Sequence, residues 1–405
     1  MNNNFTAFTV CNVAYLHKAL VLADSFYIKT EQKLKIYIVD TKRDLKININ
    51  SFEIIWIEDL DIPNFKELAF KYDITELSTS LKPYLAILNL KRYEKVMFFD
   101  PDICIYSSLS PIIEDLEETS ILLTPHYTKP EPNVWSNSDI SMLRFGSFNL
   151  GFFGLKQSNE ADNFLEWWHD RCMRFCFFES QFGLSTDQKW VSIAPCFFDN
   201  IKISFNKGYN MAFWNLHERE LSLDDNKNLI VNNKYPLIFF HFSNFNDGDY
   251  KKLSSRAVLA KESINDSVRY ISKLYNKEQN KYCGMINDIF YGFDYMNGGE
   301  YISPTLRRAY ASIINELEND HNPFDSKGVV GDFAIKNNLF EKSNKSYQSL
   351  GFVDKDSYTN RFKITNIILR LILKIYGPNK FMNFSRFLVY LSSYRLNRDL
   401  WKFRN

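Results

Sequence analysis

Glycine and proline are scarce in this chain, 14 and 12 among 405 residues, which excludes a collagen-like repeat and a Gly/Ser-rich disordered chain. No uninterrupted apolar run reaches the roughly 20 residues needed to cross a bilayer. Met1 to Val10 lacks the basic region and extended apolar segment of a secretory signal, so the expectation is a cytosolic protein. Cysteines are few and dispersed (Cys11, Cys104, Cys172, Cys176, Cys196, Cys283), unlike a small disulfide scaffold. Cys172 and Cys176 stand one helical turn apart, but no second Cys/His pair with zinc spacing follows, and they read as buried thiols. There is no internal repeat, no Gly-rich N-terminal phosphate loop of the nucleotidyltransferase kind, and no recognised nucleic-acid module.

What is present is an ordinary globular composition, 45% hydrophobic and 24% charged, rich in aromatics with 36 Phe and 23 Tyr. The length allows two or three domains and a large core. The net charge of +1 hides an asymmetry. From Arg361 to Asn405 ten Lys and Arg face Asp399 alone, a charge of +9, so the remainder, with 39 basic and 47 acidic residues, carries −8. A local positive field of that kind attracts anionic surfaces even when the whole molecule is near neutral.

Apolar runs and helical patterns alternate from the start. Phe5 to Cys11, Leu34 to Val39, Phe52 to Ile57 and Val96 to Phe99 read as strands, with helices at Ala14 to Tyr27 and Ser78 to Leu90. Further strands are expected at Ile121 to Thr124, Gly151 to Leu155, Ile201 to Phe205 and Leu237 to Phe242, with a helix at Glu160 to Phe177. This is the rhythm of an α/β fold around a mainly parallel sheet, and such sheets bind ligands beyond the carboxyl ends of their strands. After about Tyr250 the pattern turns helical, as at Ser254 to Tyr275 and Pro304 to Asn319. The expected division is an α/β domain over 1–260, a helical appendage over 261–340, and a linker with a basic amphipathic tail over 341–405.

The chemistry starts at Phe99-Asp100-Pro101-Asp102, where an apolar strand runs into two carboxylates one residue apart. Two anions at one rim of a sheet are comfortable with a shared cation or with plentiful water. Alone, the pattern also reads as an ordinary polar turn.

Several separated segments extend it in order. Thr9 to Tyr15, Lys82, Tyr93 to Asp102, Phe148-Asn149-Leu150-Gly151, Thr186-Asp187-Gln188 and Phe239-Phe240-His241-Phe242 together resemble the glycogenin-like family eight glycosyltransferases, over roughly residues 5 to 245. The resemblance implies a GT-A-like, Rossmann-type sheet and a metal-dependent hexosyltransferase using a nucleotide-sugar donor, in the first place a UDP-sugar. It implies that Asp100, Asp102 and His241 ligate Mn²⁺ or Mg²⁺ against the diphosphate, a sensible mixed set for Mn²⁺. Thr9, Asn12 and Tyr15 are the implied base and ribose contacts, and Lys82 supplies charge to the phosphates. Asn149 and Asp187 meet sugar hydroxyls, Gly151 admits the donor, and Gln188 lies near the reacting carbon.

The same family retains anomeric configuration, with Asp187 as a general base in an inverting reaction as the rival. A binding protein without turnover is the non-enzymatic alternative. The chain departs from the pattern after His241: Ser243 to Lys252 has no clear counterpart of the family's closing lysine segment. The polar, aromatic run Gly208 to Arg219 reads either as an acceptor site or as a packed loop.

In the tail, Arg370 and Lys374 share one helical face while Ile364, Ile368, Leu371, Ile372 and Ile375 cover the other. Such a helix suits an anionic membrane surface, placing an enzyme that extends a lipid-linked glycan at the inner face of the membrane. It equally suits docking on the acidic remainder of the chain.

Overall fold

In the computed structural model, the described residues are 4–45, 47, 50–130, 138–245, 253–254, 264–284, 290–317, 321–341, 359–401 and 403. The expected linker, and most of the segment after His241, lie outside them. The chain forms two compact units, Met1–Pro63 with Ile74–Gly292, and Asn64–Asp73 with Phe293–Asn405.

The first unit is an α/β sheet structure. Its strands are β1 (Phe5–Cys11), β2 (Leu34–Ile38), β3 (Phe52–Trp56), β4 (Lys95–Phe99), β5 (Ile103–Ile105), β6 (Ile121–Pro125), β7 (Phe148–Lys156), β8 (Phe178–Glu179), β9 (Leu184–Ser185), β10 (Ile201–Ile203), β11 (Leu221–Leu223), β12 (Leu229–Val231), β13 (Tyr235–Pro236) and β14 (Phe239–His241). Seven of them form the main sheet in the order β10-β6-β7-β4-β1-β2-β3. Only β7 runs against its neighbours β4 and β6, so the sheet is mainly parallel, Rossmann-type, as the sequence indicates. Every residue of β1 and of β4 is buried, which is why both read as continuous apolar runs rather than alternating ones.

Helices of this unit are α1 (Leu16–Thr30), α3 (Ile74–Ser80), α4 (Lys82–Leu90), α5 (Ser110–Glu118), α6 (Ser138–Phe145), α7 (Asn159–Phe175), α8 (Gln188–Val191) and α9 (Asp266–Cys283). The single helix expected over Ser78 to Leu90 is two, because Pro83 has no amide to continue the hydrogen-bond ladder and sits instead in the first turn of α4. Cys172 and Cys176 are buried thiols, Cys176 Sγ lying 3.4 Å from the Thr79 hydroxyl.

Beneath the carboxyl edge of the sheet the core is aromatic. Phe239 packs on Phe152 (4.9 Å), Phe99 (5.4 Å) and Tyr209 (6.2 Å between ring centroids). Each of these rings is one or two residues from a polar group of the site: Asp100, Gly151, Asn210 and His241. Packing of this density holds four separate chain segments in fixed relation.

The second unit contains α2 (Phe65–Lys71), α10 (Pro304–Ile313), α11 (Val329–Lys336) and α12 (Thr359–Leu391), the helical C-terminal region. Arg307 ties it together. Its buried guanidinium donates to the carbonyls of Ala69, Phe70, Tyr72 and Phe293 and pairs with Asp294 at 2.8 Å. The α12 helix is interrupted at Gly377, whose φ of 76° is left-handed, just before Pro378.

Candidate functional site

Strand register builds the site. The β4 strand ends at Phe99; the Asp100 amide donates to the Gly151 carbonyl at 2.7 Å, and the Ile103 amide closes a turn onto the Asp100 carbonyl at 3.1 Å. The β5 strand then pairs antiparallel with β14, setting Ile103 opposite His241, and the Phe242 amide donates to the Asp102 carbonyl at 2.9 Å. His241 is thereby fixed beside the two carboxylates. Its Nε2 lies 3.0 Å from Asp102 Oδ1 and 3.8 Å from Asp100 Oδ2. One ligand atom from each of the three residues falls within 4.8 Å of the others. Two carboxylates and an imidazole converging at that spacing fit a divalent cation such as Mn²⁺ or Mg²⁺.

Burial and charge oppose one another here. Desolvation raises the carboxyl pKa of Asp102, but attraction and hydrogen bonding by His241, with a smaller attraction from Lys18, outweigh it and hold the group below its ordinary value. Burial lowers the imidazole of His241; Asp102 and Asp100 reverse that and raise it. A ring so placed has anions to answer, and a cation at the same point answers them directly.

Lys82 sits behind the carboxylates, 5% exposed. Its Nζ lies 3.3 Å from Asp100 Oδ1 and 3.3 Å from Asp187 Oδ2, donates to the Leu150 carbonyl at 2.9 Å, and rests 4.5 Å from the Phe98 ring centroid. Desolvation lowers its pKa and the two aspartates more than restore it. The amine is thus committed to two carboxylates and a carbonyl. Asp187 is almost wholly buried, with Oδ1 accepting from the Thr186 hydroxyl at 3.1 Å, and burial raises its pKa against the pull of Lys82. Gln188 uses both ends of its amide on the backbone: Oε1 accepts from the Leu150 amide at 3.3 Å and Nε2 donates to the Phe145 carbonyl at 3.0 Å.

Asn149 is likewise engaged. Its Oδ1 accepts from the Gly151 amide at 3.1 Å and from Asn210 Nδ2 at 2.9 Å, and its Nδ2 faces His126 Nε2 at 3.5 Å. Burial pushes His126 down to about 4, so it is neutral at pH 7. The space beside Gly151 belongs to His241: a Cβ there would stand 2.4 Å from His241 Cε1 and 2.6 Å from Nδ1.

The remaining residues gather at the end of β1. Thr9 is buried, and its hydroxyl has no hydrogen-bond partner among the described residues. Asn12 Oδ1 accepts from the Tyr15 amide at 3.1 Å, capping the turn into α1, and Tyr15 stands 47% exposed with Lys18 Nζ 5.0 Å from its ring centroid. Because β1 pairs parallel with β4, Phe8 opposite Phe98, Asn12 and Asp100 leave the sheet at the same edge.

Asp40 joins the site without a sequence signal of its own, and Trp214 and Asn210 join it from within the Gly208 to Arg219 run. Asp40, buried after β2, accepts from the amides of Val13, Thr41 and Gly292 and so pins the loop carrying Asn12. Trp214 lies edge-on to His241 at 5.1 Å between ring centroids. Asn210, with a left-handed φ of 51°, joins Asn149 to His241. Its signal was weak: asparagine tolerates that conformation, and Gly208-Tyr209-Asn210 has the composition of a turn. The Gly208 to Arg219 run that holds both Trp214 and Asn210 is well anchored. Glu218, buried, accepts from the Thr128 amide and from Lys207 at 2.8 Å, and Asn215 Nδ2 donates to the Asn210 carbonyl at 3.0 Å.

No protein-family model matches the chain. It is 28% identical over 253 residues, 58% of its length and 80% of the relative's, to the uncharacterized protein YfnF of Bacillus subtilis strain 168. To the uncharacterized protein YfnD of the same organism it is 26% identical over 196 residues, 47% of this chain and 60% of that one. Among solved structures it is similar to the galactosyltransferase LgtC in complex with donor and acceptor sugar analogs, with 14% identity and a TM-score of 0.38 over 71% of this chain and 97% of that chain. Its likeness to the glycosyltransferase GlyE of Streptococcus pneumoniae TIGR4 is of the same order, with 14% identity and a TM-score of 0.39 over 70% of this chain and 64% of that chain. Likenesses of that degree carry no chemistry with them.

Proposed function

We propose that this protein is a glycosyltransferase moving a hexosyl group from a nucleotide-sugar donor, a UDP-sugar in the first place, to a glycan or lipid-linked glycan. Asp100, Asp102 and His241 hold the divalent cation. The observation that carries this reading is the β5–β14 register, which brings an imidazole 3.0 Å from one carboxylate of the D-x-D turn and 3.8 Å from the other. When bound, the cation supplies Lewis-acid neutralisation of the charge that builds on a departing diphosphate.

The chain's own residues then have separate tasks. Asn12, Tyr15 and Thr9, at the carboxyl end of β1, would meet base and ribose, and Lys82 holds Asp100 and Asp187 at 3.3 Å each. Gln188 and Asn149 shape the wall beside the reacting carbon. Retention is favoured over inversion because Asp187, buried and held by Lys82 and Thr186, is poorly placed to take a proton from an incoming acceptor.

The test is a hydrolysis screen over nucleotide sugars with and without Mn²⁺. One donor should be turned over only with the metal. Tight donor binding with no turnover, with or without glycan acceptors, would instead favour a binding protein.

We propose further that α12 rests on an anionic membrane surface. Among the described residues no helix is long and apolar enough to cross a membrane. Yet Ile364 is 60% and Ile375 72% exposed, with Ile368, Leu371 and Tyr376 exposed beside them. Each such side chain gains about 1.5–3 kcal/mol on full burial, and the flanking Arg370 and Lys374 each contribute about 1 kcal/mol near anionic lipid. Full-length protein should float with phosphatidylglycerol vesicles, and Arg370→Glu with Lys374→Glu should reduce the bound fraction at least about tenfold. Equal flotation of the two proteins would exclude the helix as the contact.

A further inference from the structure

The hydrogen-bond chain around Asn210 has only one consistent reading. Both hydrogens of its Nδ2 are used, one toward Asn149 Oδ1 at 2.9 Å and one toward the Thr124 hydroxyl at 3.1 Å. The amide cannot turn over without setting its oxygen against the Asn149 oxygen, which already accepts from the Gly151 amide. Asn210 Oδ1 therefore faces His241 Nδ1, 3.3 Å away, as an acceptor. That contact puts a proton on Nδ1, so Nε2, the nitrogen beside Asp102 and Asp100, is the one that would give a lone pair where a cation takes the place of its proton.

Everything around the ring reinforces one orientation. The bare face of Gly151 lies against Cε1 and Nδ1, Trp214 stands edge-on at 5.1 Å, and the His241 amide donates to the Met211 carbonyl at 2.8 Å, next to Asn210 itself. Asn210 is fully buried and adopts φ 51°, a conformation that most residues avoid, so its placement is specified by backbone as well as side chain.

We infer that Asn210 is a positioning residue: it fixes the tautomer and ring orientation in which His241 presents Nε2 to a divalent cation. Asn149 and Thr124 act through it by fixing its amide. The inference rests on the cation-binding reading of the site and adds to it the group that makes the imidazole a ligand. Partners of this kind, which hold the far nitrogen of a ligating histidine, change metal affinity by about 10–100-fold when removed.

The test uses full-length protein and the metal alone. Asn210→Gly suits it because glycine adopts the left-handed φ without strain. Mn²⁺ titrations followed by electron paramagnetic resonance should show affinity weakened by about 10–100-fold in Asn210→Gly. In ¹⁵N-histidine-labelled wild type saturated with Mg²⁺, the His241 signals, assigned by their loss in His241→Gln, should report a proton on Nδ1. A proton on Nε2 would overturn the inference without recourse to any variant. So would wild-type Mn²⁺ affinity in Asn210→Gly. If wild type binds Mn²⁺ and Asp102→Ala does not, while Asn210→Gly is unchanged, this inference alone falls. If wild type binds no Mn²⁺, the cation reading falls with it.

Discussion

Replacing Asp102 with alanine is expected to lower metal-dependent donor turnover by about 10²–10³-fold, corresponding to about 3–4 kcal/mol of lost transition-state stabilisation. Asp102 Oδ1 lies 3.0 Å from His241 Nε2, and its removal would leave the proposed cation with one carboxylate and an imidazole. The fold should survive, because the contact that aligns β5 with β14 here runs from the Phe242 amide to the Asp102 carbonyl, which alanine keeps. Kinetics and thermal unfolding of the same preparation separate the two effects. Turnover that falls without a comparable loss of thermal stability is the expected result; unchanged turnover would remove Asp102 from the metal set.

Gly151→Ala should be nearly as damaging, for a different reason. The new methyl would meet His241 Cε1 at 2.4 Å and Nδ1 at 2.6 Å, distances no relaxed Cβ shows. His241 is 4% exposed with Trp214 against it, so the ring has little room to step aside. Overpacking of this kind costs about 1–3 kcal/mol of stability. The expected signature is a lower melting temperature together with Mn²⁺ affinity reduced at least about tenfold, since Nδ1, the atom that the methyl strikes, is the one Asn210 holds. A stable Gly151→Ala protein binding Mn²⁺ normally would mean that His241 is not confined as described.

The legible parts of this protein were those that local sequence determines. Strands β1 and β4 announce themselves because buried parallel strands need apolar residues on both faces, and Asp100 and Asp102 follow β4 directly. His241 was reachable only through resemblance: its pairing with Ile103 joins residues more than a hundred positions apart, and nothing in either segment encodes that register. The resemblance sets the amide of Asn149 at sugar hydroxyls and that of Gln188 near the reacting carbon. Their partners here, the Gly151, Leu150 and Phe145 backbone and Asn210, depend on which strands and loops meet, a tertiary fact. The resemblance makes Lys82 a cation for phosphates; its place between Asp100 and Asp187 is an ion triad that no spacing in the sequence reveals.

Asp100, Asp102 and His241 are proposed to bind one divalent cation through the Nε2 of His241. Pulsed electron paramagnetic resonance of Mn²⁺ bound to ¹⁵N-histidine-labelled protein in the presence of UDP tests it most directly. The account requires coupling to a single directly bound imidazole nitrogen, absent in His241→Gln, with Mn²⁺ affinity lost in Asp102→Ala. Bound Mn²⁺ without nitrogen coupling, or an identical spectrum in His241→Gln, would contradict it.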